Sequence, residues 1–141
     1  SIVSIPVMTD ELTLIVAPKH RFAAGGMISI KQLGTESFVA HNAPSPYRQK
    51  VIEAFDRHNT PLNISVELPS LEAIKKLVQS GDGIALVPRL TAKSEIEAGQ
   101  LAAVSVKEMQ LERKLHVVYR KNSELSHAAQ EFIKIAKEIV N

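Results

Sequence analysis

The chain has 141 residues, with 17 Lys and Arg, 15 Asp and Glu and five His, giving a formal net charge of +2. That balance is too small and too mixed to build a nucleic-acid surface, and the length suits about one domain. With 45% hydrophobic and 23% charged residues and no Cys, the composition is that of an ordinary globular chain, and it excludes disulfides, thiolate catalysis and Cys-based zinc sites. No apolar run approaches the ~18 residues of a membrane helix. The opening SIVSIPVMTDELTL has neither the basic start nor the small-residue cleavage site of an export signal, so a cytoplasmic protein is expected. The chain begins on Ser1 and not on Met, which suggests a piece of a longer protein.

Along the chain, short apolar runs alternate with segments of helical period. Leu12–Ala17 reads as a strand, and its nearly continuous apolar run suits one covered on both faces. Ile30–Leu33 reads as a short helix, with Ser29 and Gln32 at capping-box spacing. Ser37–His41 is the next strand. Pro46–His58 follows as a helix whose apolar stripe is Tyr47, Val51, Ile52 and Phe55, with Ser45 as N-cap and Pro46 at the first helical position. Ile64–Leu68 is a strand. Leu71–Gln79 is a helix capped by Ser70, its stripe formed by Leu71, Ile74, Leu77 and Val78, with Lys75 and Lys76 expected to face out.

Gly83–Pro88 is a strand, Ser94–Ala98 a short helix with Ser94 and Glu97 at capping-box spacing, and Leu101–Val106 and Lys114–Tyr119 are strands. Ser126–Val140 closes the sequence as a long amphipathic helix. Gly34, Gly81 and Gly99 stand where left-handed C-terminal residues are expected. The alternation predicts an α/β fold with a mostly parallel sheet. The final strand and helix have no sheet of their own to cover and are expected to belong to a different lobe from Leu12–Val87.

Ligands of open α/β sheets bind beyond the carboxyl ends of strands, where helices begin. Two such ends are legible: Asn42-Ala43-Pro44-Ser45-Pro46 after one strand and Pro69-Ser70 after another. Each offers unpaired N–H groups and about half a positive charge, suited to a carboxylate, sulfate or phosphate. The plainer role of Ser45 and Ser70 is that of helix caps, each worth ~1 kcal/mol, and a capping hydroxyl can also reach a ligand.

Catalytic patterns are poor. The sequence has no G-x-S-x-G, no G-x-x-x-x-G-K-[ST] and no G-x-G-x-x-G. The histidines His20, His41, His58, His116 and His127 lack metal-ligand spacing, so no metal and no cofactor are expected. His58 is read as a helix-end residue and His116 as structural, while His41 ends a strand at the inferred ligand edge. Asp10 with Glu11, and Glu95 with Glu97, read as solvated surface. If the chain were an enzyme fragment, His41 and Ser45 would be its base and nucleophile, but no third group orients the base.

In this order the residues resemble the effector-binding domain of LysR-type transcriptional regulators. Met8 through Ala23 is similar to the family's "pl..deL.lv....HplA" segment and Ile28 through Leu33 to its "i.l.dL" helix. Phe38 to Phe55 is similar to "fi......r..i...f", and Leu77 to Pro88, LVQSGDGIALVP, to "lV..G.Gia.lP". No single piece is very specific; the collinear series over essentially the whole chain is.

The resemblance implies a periplasmic-binding-protein-like (type 2) two-lobed fold with a small-molecule inducer in its cleft. It implies that residues 1–10 are the crossover from lobe I, 11–107 a complete lobe II, and 108–141 the returning strand and C-terminal helix of lobe I. The family's N-terminal helix-turn-helix and most of lobe I have no counterpart in the sequence. Carried over onto this chain, the effector-binding residues are His41, Asn42, Ser45, Ser70 and Leu71, with Val87 and Pro88 as wall and Met8 near the crossover. The implied partners are a small effector, an anion or carboxylate, and further copies of the chain as a homodimer or homotetramer; DNA is reached only through the absent N-terminal domain, and no membrane is involved. The alternative with the same fold is the solute-binding protein of a transporter.

Overall fold

A computed structural model describes residues 2–120 and, within the closing segment, His127, Gln130, Glu131, Lys134 and Ile135. The strands are β1 (Ile2–Val16), β2 (Met27–Ile28), β3 (Ser37–His41), β4 (Asn63–Leu68), β5 (Ala85–Pro88), β6 (Ala102–Val106) and β7 (Glu112–Arg120). The helices are α1 (Pro46–Arg57), α2 (Leu71–Gln79) and α3 (Lys93–Glu97), with 3-10 turns at Ile30–Leu33 and Arg89–Ala92. The chain divides into two compact units, Ser1–Asp10 with Glu112–Asn141, and Glu11–Leu111.

Within Glu11–Leu111, β1 lies between β5 and β6 and runs antiparallel to both, pairing Leu14 with Leu86 on one side and with Val104 on the other. The remaining pairings are parallel: β2 with β6, and β3 with β4, where His41 stands opposite Leu68. A parallel bridge between Phe38 and Ile84 joins β3 to the start of β5: Val39 N–H donates to the Ile84 carbonyl at 2.9 Å and Ile84 N–H to the Ser37 carbonyl at 3.0 Å. The expected parallel sheet is therefore right for every strand of this unit but β1. An apolar run identifies a strand buried on both faces; it carries no information about direction.

Alternation along the strands separates two cores. Leu14, Val16, Phe38 and Ile84 pack with Val51, Ala54 and Phe55 of α1. Ile15, Val39, Ala85 and Val87 pack with Ile74 and Val78 of α2. Since neighbouring residues of one strand serve opposite cores, α1 and α2 cover opposite faces of the sheet. This accounts for the nearly unbroken apolar run at the end of β1.

Several local expectations need correction. β1 begins at Ile2, not Leu12; Pro6 lies inside it, and proline argues against a strand interior when read from sequence. β2 is too short to leave a period. Ser94 does not cap α3: the preceding 3-10 turn runs directly into the helix, Ala92 is the N-cap with no side-chain bond, and Ser94 Oγ donates to Glu95 instead. Gly34 has φ −64° and is not left-handed, whereas Gly81 and Gly99 have φ +85° and +74°. At Gly34 a Cβ would stand 3.3 Å from Pro61 and Thr60, so space and not backbone conformation favours glycine. Asp10, expected on the surface, is buried.

The capping box at Ser29 and Gln32 forms as expected. A residue distant in sequence reinforces it: Glu108 accepts from Ile30 N–H at 2.9 Å and from Ser29 Oγ at 2.7 Å. These bonds, the backbone one first, hold the Glu108 carboxyl below its ordinary range.

In the unit Ser1–Asp10 with Glu112–Asn141, β7 pairs with β1. Ile2, Val118 and Ile135 are exposed there. Of the expected helix Ser126–Val140, the five described residues are helical and the others lie outside the described residues.

Candidate functional site

Because β3, β4 and β5 run the same way, their carboxyl ends share one edge of the sheet, and the chain leaves β3 and β4 there to start α1 and α2. Both helix starts are capped as the sequence predicts. Ser45 is extended and its Oγ accepts from Tyr47 N–H at 3.2 Å. Ser70 is extended and its Oγ accepts from Ala73 N–H at 3.2 Å. Pro46 has no N–H, and the Tyr47 and Arg48 amides are taken by Ser45, so what the two helix starts share at this edge is their partial positive charge.

The two turns are joined to each other. Asn42 N–H donates to the Leu68 carbonyl at 2.9 Å. The ring of His41 takes the Ala43 N–H on Nδ1 at 3.2 Å and contacts the Pro69 carbonyl through Nε2 at 3.1 Å. Arg48, one turn into α1, donates to the His41 carbonyl at 3.2 Å and pairs with Glu67 at the end of β4. His41, Asn42, Ser45, Ser70 and Leu71 therefore come together on one connected edge. Val87, fully buried, and half-buried Pro88 end the neighbouring strand β5. Met8 lies in β1, its side chain outside the described residues.

Sequence reasoning missed three residues that brace this edge. Arg48 and Glu67 left no signal beyond their types. Lys75 was expected to face solvent, but it is buried: its Nζ donates to the Thr91 carbonyl at 2.7 Å and pairs with Glu72 at 2.8 Å and with Glu95 at 2.5 Å. Glu95, expected to be solvated, is largely covered for the same reason. The signal was present, since Leu71, Ile74, Lys75 and Val78 have the i, i+3, i+4, i+7 spacing of a single helix face.

Burial penalises the charge on Lys75, but its bonds to Glu72 and Glu95 outweigh that penalty and hold its pKa above the ordinary lysine value. The bond from Lys75 holds the Glu95 pKa below the ordinary carboxylate value. The stabilisation is accordingly complete between the two ordinary values. It is lost as pH rises through the raised lysine pKa, and as pH falls through the lowered carboxylate pKa. Lys75→Met should destabilise the protein by about 2 kcal/mol, because it strands the Glu95 carboxylate and the Thr91 carbonyl. Urea titrations of Lys75→Met, Glu95→Gln and the double variant check this; the double variant should cost clearly less than the sum of the singles.

The oxygens of Ser45 and Ser70 accept helix N–H bonds, and both ring nitrogens of His41 are taken up by backbone groups, so among the described residues of this edge His41 is not set as a base toward either hydroxyl. Among the described residues no cluster of His, Asp and Glu is arranged to hold a metal ion, and no helix is long and apolar enough to cross a membrane.

Comparison with known proteins gives this edge a context. The family model of the LysR substrate binding domain matches residues 1–140. The chain is 29% identical over 126 residues to the HTH-type transcriptional activator CmpR of Synechocystis, covering 89% of this chain and 41% of that protein. It is 30% identical over 125 residues to the RuBisCO operon transcriptional regulator of Allochromatium vinosum, again covering 89% of this chain and 41% of the relative. The chain thus spans about two-fifths of the length of these regulators. Among solved structures, the regulatory domain of Synechocystis CcmR in complex with 2-PG superposes with a TM-score of 0.78 at 26% identity, covering all of this chain and 68% of that one. The effector binding domain of QuiR in complex with shikimate shares the fold, with a TM-score of 0.70 at 22% identity over 99% of this chain and 65% of that one. These relatives are transcriptional regulators, which favours the regulator over the transporter's solute-binding protein.

Proposed function

The chain belongs to the LysR substrate-binding-domain family, and from that premise we propose that it is the effector-sensing part of a LysR-type transcriptional regulator. The unit Glu11–Leu111 serves as lobe II, and the carboxyl edge of β3, β4 and β5 is one wall of the effector site. Asn42, Ser45, Ser70 and Leu71 meet the effector through amides and hydroxyls, with His41 at the same edge. Val87 and Pro88 form the floor beside them. DNA is contacted by a helix-turn-helix elsewhere in the protein, which works as a homodimer or homotetramer in the cytoplasm. Effector binding acts by favouring one arrangement of the sensing domain over another, so its influence is limited by its difference in affinity for the two.

The observation that carries this reading is the convergence of two capped helix starts on one edge, tied together by His41, in a domain whose relatives sense small molecules. The edge carries the partial positive charge of two helix starts beside the hydroxyls of Ser45 and Ser70, so the effector is a small anion, a carboxylate or phosphate ester. The related domains solved with 2-PG and with shikimate make those two compounds the first probes.

Substituting Ser70→Asp separates the cap from the contact. Aspartate caps a helix as well as serine does, so stability should change by less than about 0.5 kcal/mol. A carboxylate placed in the site should repel an anion and weaken binding by about tenfold or more. Calorimetric titration of the full-length protein with shikimate and 2-PG, beside a thermal melt, reads both. Unchanged or tighter anion binding by Ser70→Asp would remove this edge from the effector site.

A further inference from the structure

Building on the effector-site reading, we infer that His41 is a positioning residue whose neutral imidazole latches the turn after β3 to the turn after β4. The chemistry of its partners fixes the ring's state. The Ala43 N–H can only donate, so Nδ1 must accept and carries no proton. The Pro69 carbonyl can only accept, so Nε2 must carry the proton and donate. One ring therefore spans the segment leading to Ser45 and the segment leading to Ser70, and holds the starts of both helices in a fixed relation. The strand end that bears the ring is itself held, because Arg48 donates to the His41 carbonyl while pairing with Glu67 across the β3–β4 seam.

With both nitrogens satisfied by backbone, the ring has no polar atom to spare for an effector. Its contribution to binding is indirect: amides already held in place lose less freedom when an anion arrives. His20 shows the same local geometry, accepting from Phe22 N–H on Nδ1 and contacting Glu36 through Nε2, which fastens the loop after β1. Among the described residues a histidine accepting from the second residue onward is thus used twice as a backbone brace.

Two variants divide the latch. Asparagine at position 41 can accept from the amide two residues on, as in an Asx turn, but is too short to reach Pro69. Alanine can do neither. In nitrogen-15 spectra of the full-length protein without effector, His41 should appear as the Nε2–H tautomer. The Ala43 amide should exchange at least about tenfold faster in His41→Ala and stay protected in His41→Asn. Affinity for 2-PG should fall about tenfold in His41→Ala and recover part of that loss in His41→Asn.

A proton on Nδ1, or unchanged Ala43 exchange in His41→Ala, would overturn the latch whatever the protein binds. Equal loss of 2-PG affinity in both variants, with ring resonances shifting on titration of the wild type, would make His41 a direct contact and overturn the inference. Failure of the wild type to bind either 2-PG or shikimate would count against the effector-site reading, and the exchange rates would then decide the latch alone.

Discussion

Phe55→Ala should cost about 4 kcal/mol of folding stability, the largest loss expected from any single truncation described for this protein. The side chain is 1% exposed and sits in the last turns of α1, where it meets the ring of Phe38 edge-on at 5.8 Å and 88°. Alanine removes the buried ring surface and the aromatic pair and leaves a cavity. The sheet beneath cannot close that cavity, because Leu14, Phe38 and Ile84 are fixed by strand pairing. Against the 5–15 kcal/mol typical of a domain, the loss is a large share of the total. The midpoint of urea unfolding should drop sharply, while Phe55→Leu should lose roughly a third as much. A small effect from alanine would mean that α1 is not held to the sheet by this contact.

Gly83→Ala ranks second, at about 3 kcal/mol. Gly83 has φ +147°, a conformation close to glycine's own, and an added Cβ would stand 2.8 Å from Val39 Cγ2 and 3.2 Å from the Ser37 carbonyl. Val39 is itself buried and has nowhere to turn. The methyl would therefore push β5 away from β3 at the bridge between Phe38 and Ile84, the seam that keeps the two strands ending on one edge. Shortening the neighbour in Gly83→Ala/Val39→Ala should relieve the collision but not the backbone cost, so the double variant should be less destabilised than the summed singles by about 1 kcal/mol. Additive losses in denaturation experiments would place the whole penalty in the backbone.

Most elements could be read from the sequence because their signals are local. Ser45 before Pro46, Ser70 before Leu71, and apolar stripes of helical period fixed α1 and α2 to within a residue. β3 is bounded as expected. What escaped depends on partners distant in sequence. The direction of β1 is decided by β5 and β6, which lie many residues downstream. The burial of Lys75 is decided by Thr91 and Glu95, which arrive after another strand. Ser94 fails as a cap because of the turn that precedes it.

The site follows the same division. Its polar edge was visible as strand ends followed by capped helices, whereas the braces behind it, Arg48 with Glu67 and the ring of His41 between two turns, are tertiary contacts that no spacing announces. The solved relatives supplied what neither could, namely two particular compounds to try there.

One backbone contact has a practical consequence. Leu12 N–H donates to the Leu111 carbonyl at 2.8 Å, at the two ends of the segment Glu11–Leu111. A stretch of polypeptide whose first and last residues meet can be lifted out of its parent, or spliced into a surface loop of another protein, without stretching either host. A protein engineer can therefore treat this segment as a cassette.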